Sequence, residues 1–253
     1  GMLSGKHLIT EPPFQAPHHT VTPSALAGGG RRAAPGLVSL AHKGVLFLDE
    51  FPEFRRETIE ILRQPLEERR ITVSRYETSC TYPAGGILIA AMNPCSCGFY
   101  PDRARCRCSQ AQIKRYIGKI SRPLAERFDL CLEIMPVRYR DLEGSAPQES
   151  SAGIRKRVEA ARNRQKERYL EIAAVCNAEL SGAEVQRYCR LDKEAAGRME
   201  KAYQRLSFSA RAYHRILKTA RTIADLAGTE KIEEAQLAEA LLYREPDRKY
   251  WGE

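Results

Sequence analysis

Two acidic residues that directly follow a short apolar run are the first candidates for chemistry. The run Val45–Leu48 is preceded by Gly44 and followed by Asp49 and Glu50. A Mg²⁺ ion bound to nucleotide phosphates keeps most of its waters and needs one or two carboxylates nearby. A second acid beside it can polarise an attacking water. The pattern therefore indicates a nucleotide-hydrolysing site, although an acid pair can also simply end a strand.

A second apolar run ends in a comparable way. Ile87–Met92 leads into Asn93, which is followed by Pro94. If the two runs are neighbouring parallel strands, their carboxyl ends meet at one edge of the sheet, where ligands bind in open α/β folds. An amide at that edge can orient the water or contact the terminal phosphate. Asn-Pro also favours a turn, and the two interpretations are compatible.

Four cysteines form a third candidate site. Cys95, Cys97, Cys106 and Cys108 make two Cys-x-Cys pairs that are eight residues apart. Four thiolates can enclose a zinc ion tetrahedrally, and the short, turn-rich segment between the pairs allows the chain to fold back. The sequence predicts a structural zinc site and leaves open that the loop holds reduced thiols without a metal.

Three arginines alternate with these cysteines, namely Arg103, Arg105 and Arg107. A loop with this charge can follow a nucleic-acid backbone through its phosphates. The same arginines can equally form an ordinary solvated surface. We treat them as candidate DNA contacts.

These residues need a framework of strands and helices to position them. The apolar runs are too short for helices, and their composition suits buried strands, the first of them central and parallel. The other predicted elements of the first half are a helix over Arg55–Glu68 interrupted at Pro65, a hairpin over Ile71–Tyr82, a helix over Gln110–Ile120 and a strand over Leu130–Met135.

The second half of the chain has helical spacing throughout. Its predicted helices are Ile154–Ile172, Glu184–Cys189, Lys193–Leu206, Ala210–Leu226 after an N-cap at Ser209, and Ile232–Tyr243. A polar segment of small residues without periodicity lies between the halves. We therefore expect an α/β domain over residues 1–140, a linker over 141–152 and an all-helical domain over 153–253.

Composition narrows the classes of protein. The chain has 253 residues, enough for one large or two modest domains. Its formal net charge of +9 is spread over both halves, which is compatible with nucleic-acid binding but only weakly indicative of it. No run of 18 apolar residues is present, so a membrane span is excluded. No signal peptide opens the chain, and we expect a cytoplasmic protein with reduced or metal-bound cysteines.

The order of these features resembles the AAA+ ATPases that carry a hairpin before the sensor-1 strand, a group that includes magnesium chelatase and the MCM helicases. Within it, the sequence resembles the magnesium-chelatase-like family typified by the competence protein ComM. The matching segments are Pro17–Thr20, Ser39–Glu50, Leu62–Glu67, Ala91–Gly98 and Ser209–Leu217. The resemblance covers nearly the whole chain and implies a parallel-sheet AAA+ core followed by an all-α lid.

The resemblance also implies roles for individual residues. Asp49 and Glu50 match the Walker B acids and Asn93 matches sensor 1, so ATP and Mg²⁺ are the implied cofactors. Arg127 matches an arginine finger that reaches the γ-phosphate held by a neighbouring subunit, and Arg211 matches sensor 2 of the lid. Alternatives stay open. Arg127 can pair locally with Glu126 or Asp129, and Arg211 can face solvent, although a cation is unfavourable at a helix start.

Further implications concern the hairpin and the histidines. In related ring helicases the hairpin points into the central channel, which makes its arginines candidate DNA contacts; they can also lie at a subunit interface. These arginines are Arg69, Arg70 and Arg75. We interpret His18, His19 and His42 as packing around the nucleotide region, and we assign them no metal.

The sequence departs from the family pattern at one point. It contains no Gly-x-x-x-x-Gly-Lys-Ser/Thr, the loop that cradles nucleotide phosphates. We expect a C-terminal part of an AAA+ core, truncated at its N-terminus, that binds ATP weakly or not at all alone. The parent protein is expected to be a hexameric DNA motor for branch migration in recombination and natural transformation. The alternatives are a chelatase-type motor for metal insertion and a non-catalytic DNA-binding or interaction module.

Overall fold

The computed structural model describes residues 10–30, 33–74, 79–135, 137, 149–206 and 209–251. The chain divides into two compact units, Gly1–Phe128 and Asp129–Glu253. Most of the predicted linker 141–152 lies outside the described residues, so the predicted domain limits stay predictions. Among the described helices, none combines the length and the apolar character that crossing a bilayer requires.

The first unit combines short strands with short helices. Its strands are β1 (Phe14–Gln15), β2 (Gly28–Gly29), β3 (Ala34–Pro35), β4 (Val45–Leu48), β5 (Arg70–Ser74), β6 (Ser79–Pro83) and β7 (Ile87–Ala90). Its helices are α1 (Pro23–Ala27), α2 (Leu37–Leu40), α3 (Arg56–Glu60), α4 (Arg63–Glu68), α5 (Gln110–Ile117) and α6 (Arg122–Ala125), with a 3₁₀ turn at Phe51–Glu53. Its core includes the fully buried side chains of Leu26, Leu48, Phe51, Ile59, Leu62 and Leu124.

A parallel sheet in the order β1-β4-β7 places β4 in the centre. This confirms the predicted central parallel strand. Gly44 directly precedes β4 and lies close to Pro13, which directly precedes β1. A Cβ at Gly44 would lie 1.9 Å from the carbonyl oxygen of Pro13. Only glycine allows this approach, which lets the N–H of Val45 donate to that same oxygen at 2.8 Å. The glycine before the apolar run is therefore required by strand pairing.

The predicted hairpin is confirmed as the antiparallel pair β5–β6, whose register runs from Arg70 opposite Pro83 to Ser74 opposite Ser79. Side chains of β5 alternate, with Ile71 and Val73 buried. On the exposed face the hydroxyls of Thr72 and Thr81 lie 3.1 Å apart. Residues 75–78, which connect the strands, lie outside the described residues.

The helical stretch before the hairpin is broken earlier than predicted. The break falls between α3 and α4, at Ile61 and Leu62, and Pro65 lies inside the first turn of α4. The first turn of a helix does not use its N–H groups for internal hydrogen bonds, so proline is accepted there. The predicted interruption at Pro65 is therefore wrong in position.

The predicted strand at Leu130–Met135 is also wrong. These residues form no strand, and within the described part of the chain their backbone makes one such contact, the 3.0 Å hydrogen bond from the N–H of Cys131 to the carbonyl of Tyr243. The apolar side chains of Leu132, Ile134 and Met135 are exposed. A strand needs a partner for its backbone groups, and the described residues of the second unit provide none here.

The second unit is helical, as predicted. Its helices are α7 (Ser151–Arg168), α8 (Gly182–Tyr188), α9 (Lys193–Leu206), α10 (Ala210–Ala227), α11 (Glu234–Leu242) and α12 (Glu245–Trp251), with a 3₁₀ turn at Asn177–Glu179. Apolar side chains from these helices and from the segments between them form one core, which includes Val185, Ala220, Ala224, Ile232 and Leu237.

A buried polar cluster lies beside this core. The carboxylate of Asp225 is fully buried and accepts hydrogen bonds from both terminal nitrogens of Arg168, at 3.0 and 2.5 Å. It also accepts from the side-chain amide of Asn177 at 2.9 Å and lies 3.3 Å from Nε of Arg221. The cluster joins α7, the 3₁₀ turn and α10, so it fixes the arrangement of three elements.

Candidate functional site

The carboxyl end of β4 presents both predicted acids at the surface. Asp49 and Glu50 are exposed. Glu50 has φ 51° and ψ 42°, a left-handed conformation that is uncommon for a residue with a side chain. The N–H of Glu50 donates to Oδ1 of Asp49 at 2.8 Å, and the next N–H, that of Phe51, donates to the carbonyl of Ala91 at 2.9 Å. These bonds hold the turn that directs the two carboxylates.

The imidazole of His19 contacts the second acid. Its Nδ1 lies 3.0 Å from Oε2 of Glu50, and the exposed fractions of the two side chains are 30% and 58%. His19 stacks at 4.0 Å between ring centroids on His18, which in turn lies 3.0 Å from the hydroxyl of Thr20. The ring of Phe54 also approaches His19 edge-on. His19 is therefore placed to orient the carboxylate of Glu50.

Pairing of β4 with β7 carries the predicted amide to the same edge. Leu48 pairs with Ala90, and the N–H of Ala91 donates to the carbonyl of Leu48 at 2.9 Å. Asn93 follows two residues later and is exposed. The structure thus brings the ends of both strands together. The side chain of Asn93 lies beside Gly98: a Cβ added at Gly98 would lie 3.9 Å from the amide carbon of Asn93, which is an ordinary contact distance.

Arg127 forms local contacts in the first unit. Its Nε lies 3.1 Å from Oε2 of Glu67, its Nη1 donates to the carbonyl of Pro123 at 2.5 Å, and its side chain is 11% exposed. Local pairing was the alternative weighed for this arginine, but the partner is Glu67. Of the partners considered, Glu126 pairs with Arg122 and Asp129 pairs with Arg215.

Arg211 lies in the second unit, one residue after the start of α10. The helix is capped as predicted, since Oγ of Ser209 accepts a hydrogen bond from the N–H of Ala212 at 3.2 Å. Arg211 is exposed. Its predicted sensor role stays a prediction.

The four cysteines of the loop between β7 and α5 come together. The sulfur atoms of the four residues all lie within 4.8 Å of one another; the residues are Cys95, Cys97, Cys106 and Cys108. Sγ of Cys95 is 3.3 Å from that of Cys97 and 3.8 Å from that of Cys106. Cys97 and Cys106 are 3.6 Å apart. Among the described residues this is the one group of three or more potential metal ligands that converges.

The surroundings of Cys95 and Cys106 shift the pKa values of their thiols in opposite directions. Burial opposes ionisation of Cys95, but hydrogen bonds from the backbone N–H of Tyr100 and from Cys97 outweigh it and lower the pKa to about 6. Burial raises the pKa of Cys106 to about 11. The cluster therefore favours a thiolate at Cys95 even before a cation is considered.

The candidate DNA contacts divide between the hairpin and the cysteine loop. In the hairpin, Arg70 is exposed and its Nε lies 3.2 Å from Glu68, while Arg69 has φ 56° and ends α4. Arg75 lies outside the described residues. In the loop, the guanidinium of Arg105 lies 4.1 Å from the ring centroid of Phe99.

The other loop arginines are exposed as well. Arg103 lies 5.0 Å from the ring centroid of Tyr100 and donates to the carbonyl of Cys108 at 3.2 Å. Arg107 is exposed. The loop therefore presents positive charge next to aromatic rings, an arrangement that suits contact with a nucleic acid.

Sequence reasoning missed two contacts at this site, those of His19 with Glu50 and of Glu67 with Arg127. Residues 31 positions apart in the chain form the first pair. The available signal was that His19 closely follows the strand that pairs with β4, so both residues leave the sheet at the same edge. Nδ1 of His42 accepts the N–H of Gly85 at 3.0 Å, and the packing of His42 around the nucleotide region stays a prediction.

Comparison with known proteins gives two family matches. Residues 1–142 match the family described as magnesium chelatase, subunit ChlI, and residues 148–244 match the family described as the C-terminal part of the same subunit. The first match contains the strand ends, the hairpin, the cysteine loop and Arg127. The second contains the helical region with Arg211.

Individual relatives agree with these matches. The chain is 45% identical over 239 residues, 94% of its length, to the competence protein ComM of Haemophilus influenzae. It is 45% identical over 237 residues to the uncharacterized protein YifB of Salmonella typhimurium. It covers 46% of each of these proteins, so the chain spans about half their length. A match at 28% identity over 110 residues is to the magnesium-chelatase 38 kDa subunit of Acidiphilium rubrum.

Proposed function

The chain belongs to the magnesium chelatase ChlI family, and on this basis we propose that it is part of a ring-forming, ATP-driven DNA motor. The observation that carries the ATPase part is the meeting of Asp49, Glu50 and the Asn93 strand end at one edge of a parallel sheet. In the proposed role, ATP and Mg²⁺ are the cofactors. When bound, Mg²⁺ neutralises charge that develops on the phosphates.

The residues of this chain would divide the work of hydrolysis. Asp49 offers the carboxylate that holds the cation through its waters. Glu50, held by His19, would accept a hydrogen bond from the attacking water and take its proton as the water oxygen bonds to the γ-phosphorus and the bond to the bridging oxygen of the leaving ADP breaks. Asn93 orients the same water by its amide. The fixed turn at Glu50 supports this assignment, because left-handed backbone at a residue with a side chain is often retained at catalytic positions.

Arg127 would complete the site of a neighbouring subunit in the proposed ring, which we take to be a hexamer. A guanidinium keeps its charge and matches phosphate oxygens with its planar fork. In the single chain this guanidinium lies 3.1 Å from the carboxylate of Glu67 on α4. In the assembled ring the γ-phosphate would compete with Glu67 for it. Arg211 would contact the nucleotide from the helical region.

DNA is the proposed substrate of the motor, and branch migration in recombination and natural transformation is the proposed activity. The similarity to ComM over 94% of the chain supports it. The exposed Arg103 and Arg105 beside aromatic rings support it further, as does the net charge of +9. Arg69, Arg70, Arg75 and Arg107 are the other proposed contacts.

A chelatase-type motor that drives metal insertion is the second candidate within the same family. The match to the magnesium-chelatase 38 kDa subunit favours it, but that match covers 44% of this chain at 28% identity. A non-catalytic interaction module is the third candidate. The lack of a Gly-x-x-x-x-Gly-Lys-Ser/Thr motif in the sequence favours it, and leads us to propose that this 253-residue chain binds ATP weakly or not at all by itself.

The decisive experiment measures ATP hydrolysis and branch migration of a four-way DNA junction by the protein that carries this sequence together with a phosphate-binding loop. DNA-stimulated hydrolysis and junction movement are expected, and Asp49→Asn should abolish both. Glu57→Gln, an exposed acid on α3, is the matched control and should change neither. Hydrolysis that responds to a porphyrin and not to DNA would favour the chelatase, and no hydrolysis would favour the module.

DNA contact is tested separately by salt dependence of binding. Arg105→Ala should weaken the binding of DNA whatever its base sequence. A plot of the logarithm of the DNA-binding constant against the logarithm of the salt concentration should become less steep by about 1. Arg155→Ala, an exposed arginine on α7, is the matched control. Equal slopes for the two variants and the unchanged protein would exclude Arg105 from the DNA interface.

A further inference from the structure

We propose that Cys95, Cys97, Cys106 and Cys108 hold one structural zinc ion, a metal site separate from the proposed ATPase chemistry. The first support is geometric. Sulfurs placed tetrahedrally at about 2.3 Å from one zinc ion are separated by about 3.8 Å. Three of the separations in the cluster are 3.3, 3.6 and 3.8 Å, and all four sulfurs lie within 4.8 Å of one another. A single ion therefore fits with small movements of side chains.

The separations also discriminate against other uses of four cysteines. A disulfide requires about 2.05 Å between sulfurs, and all four residues are free thiols. An iron–sulfur cluster places several atoms between its cysteine ligands, so it needs sulfurs farther apart than a single ion does. Four soft thiolates in a tetrahedral arrangement are a ligand set typical of zinc.

Hydrogen-bond donors surround the sulfurs in a repeated pattern. The backbone N–H of Cys97 is directed at the sulfur of Cys95, and the N–H of Cys108 is directed at that of Cys106. Each Cys-x-Cys pair thus supplies a donor from its second residue to the sulfur of its first. Donors of this kind stabilise metal-bound thiolates and orient them. The N–H groups of Tyr100 and Cys97 add donors to the sulfurs of Cys95 and Cys108, so backbone donors reach three of the four sulfurs.

The loop lacks another source of order. Every side chain from residue 96 to residue 105 is exposed or half-buried, and the buried residues are the ligands Cys95 and Cys106 themselves. A segment without its own apolar core needs a cross-link or a metal to hold one conformation. Zinc with four protein ligands has no open position for a substrate, so the ion is structural.

The position of the site explains what the ion would stabilise. Cys95 lies two residues after Asn93, and Cys108 immediately precedes Ser109, the capping residue of α5. The ion would therefore connect the end of β7 to the start of α5 and fix the arginines between them. Zinc, and not nucleotide, would then order the loop.

Metal content provides the first test, made on the 253-residue chain purified under reducing conditions without added chelator. We expect about one zinc ion per chain, and in the cobalt-substituted chain a sulfur-to-cobalt charge-transfer absorption. Cys95→Ser with Cys106→Ser should lose both signals. Cys80→Ser with Cys176→Ser, two half-buried free cysteines outside the cluster, is the matched control and should retain both.

Limited trypsin digestion of the unchanged chain gives a second test that does not depend on a variant folding. Arg103, Arg105 and Arg107 are cleavage sites inside the loop. A strong chelator should open these sites to trypsin, and Zn²⁺ should close them again, whereas ATP should not. Cleavage that is unaffected by chelator and by Zn²⁺, or a purified chain with no more zinc than the doubly substituted variant, would overturn the proposal. Neither result bears on ATP hydrolysis.

Discussion

Nδ1 of His19 lies 3.0 Å from Oε2 of Glu50, although the two residues are 31 positions apart in the chain. The contact follows from the sheet, because β1 and β4 are parallel neighbours and both residues lie beyond the carboxyl ends of their strands. A carboxylate that must activate water benefits from a partner that restricts its rotamers. His19 is a positioning residue in this arrangement, since it acts through Glu50.

Replacing His19 tests this relationship. In the ATPase that carries this sequence, His19→Ala should lower kcat by up to about 100-fold and leave KM for ATP nearly unchanged, because the carboxylate loses its orientation and the nucleotide contacts remain. His18→Ala should have a smaller effect, since His18 stacks on His19 and contacts Thr20 but makes no contact with Glu50. A rise in kcat for His19→Ala would mean that the imidazole instead withholds Glu50 from the water.

Arg127 is expected to act between subunits. Arg127→Ala should reduce ATP hydrolysis about 1000-fold or more, whereas Arg122→Ala, an exposed arginine on α6, should have little effect. Mixing inactive Arg127→Ala subunits with inactive Asp49→Asn subunits should restore part of the activity, because some interfaces then combine an intact Arg127 with an intact Asp49. Mixed rings that stay inactive would place Arg127 in its own subunit, where Glu67 holds it.

The buried carboxylate of Asp225 should dominate the stability of the second unit. Asp225→Ala leaves Arg168 and Arg221 without their shared buried partner, and loss of one member of a buried ion pair costs about 3–5 kcal/mol. Urea unfolding followed by circular dichroism measures the change. Glu171→Gln removes an acid whose side chain is 85% exposed and should leave stability unchanged. Equal midpoints for both variants would contradict the assignment.

A buried thiol, Cys189, and a half-buried thiol, Cys131, should make the second unit less stable in alkali. Burial raises the pKa of Cys189 to about 11 and that of Cys131 to about 11. In the unfolded chain the pKa of a thiol is about 8.5. Below that pH both states keep the proton and stability is unaffected. From about pH 8.5 to about 11 the unfolded chain loses protons that the folded unit retains, so the free energy of unfolding falls as pH rises.

Urea titrations across this alkaline range, with reductant present, measure that slope. Cys189→Ala should make it shallower. Cys176→Ala should leave it unchanged, because Cys176 is half-buried in the same unit and serves as the matched thiol. A slope that is identical in all three proteins would show that the thiols do not set the alkaline limit.

Much of the fold could be predicted because local signals and packing agree. The apolar runs before Asp49 and Asn93 are strands in the structure, and Ser209 begins a helix as its side chain suggests. Apolar residues bounded by glycine leave few alternatives to a buried strand. The convergence of the four cysteines also agrees with their spacing, since a short loop can hardly keep two such pairs apart.

The errors concern positions where the partner decides the outcome. Leu130–Met135 has strand composition, yet a strand forms only when another backbone is beside it, and composition does not report neighbours. Pro65 reads as a helix breaker, but its place in the first turn of α4 makes it harmless. The partner of Arg127 could not be predicted from the sequence either, because Glu67 lies 60 positions away along the chain and the two residues meet only when the unit folds.

The open side of β7 has a practical consequence. In the described part of the chain β4 pairs with one side of this strand, and its side chains Ile87 and Ile89 are 62% and 46% exposed. A strand with free backbone groups and accessible isoleucines is a template on which other molecules can add strands. Aggregation of the purified chain at high concentration is therefore expected to include addition of strands at β7.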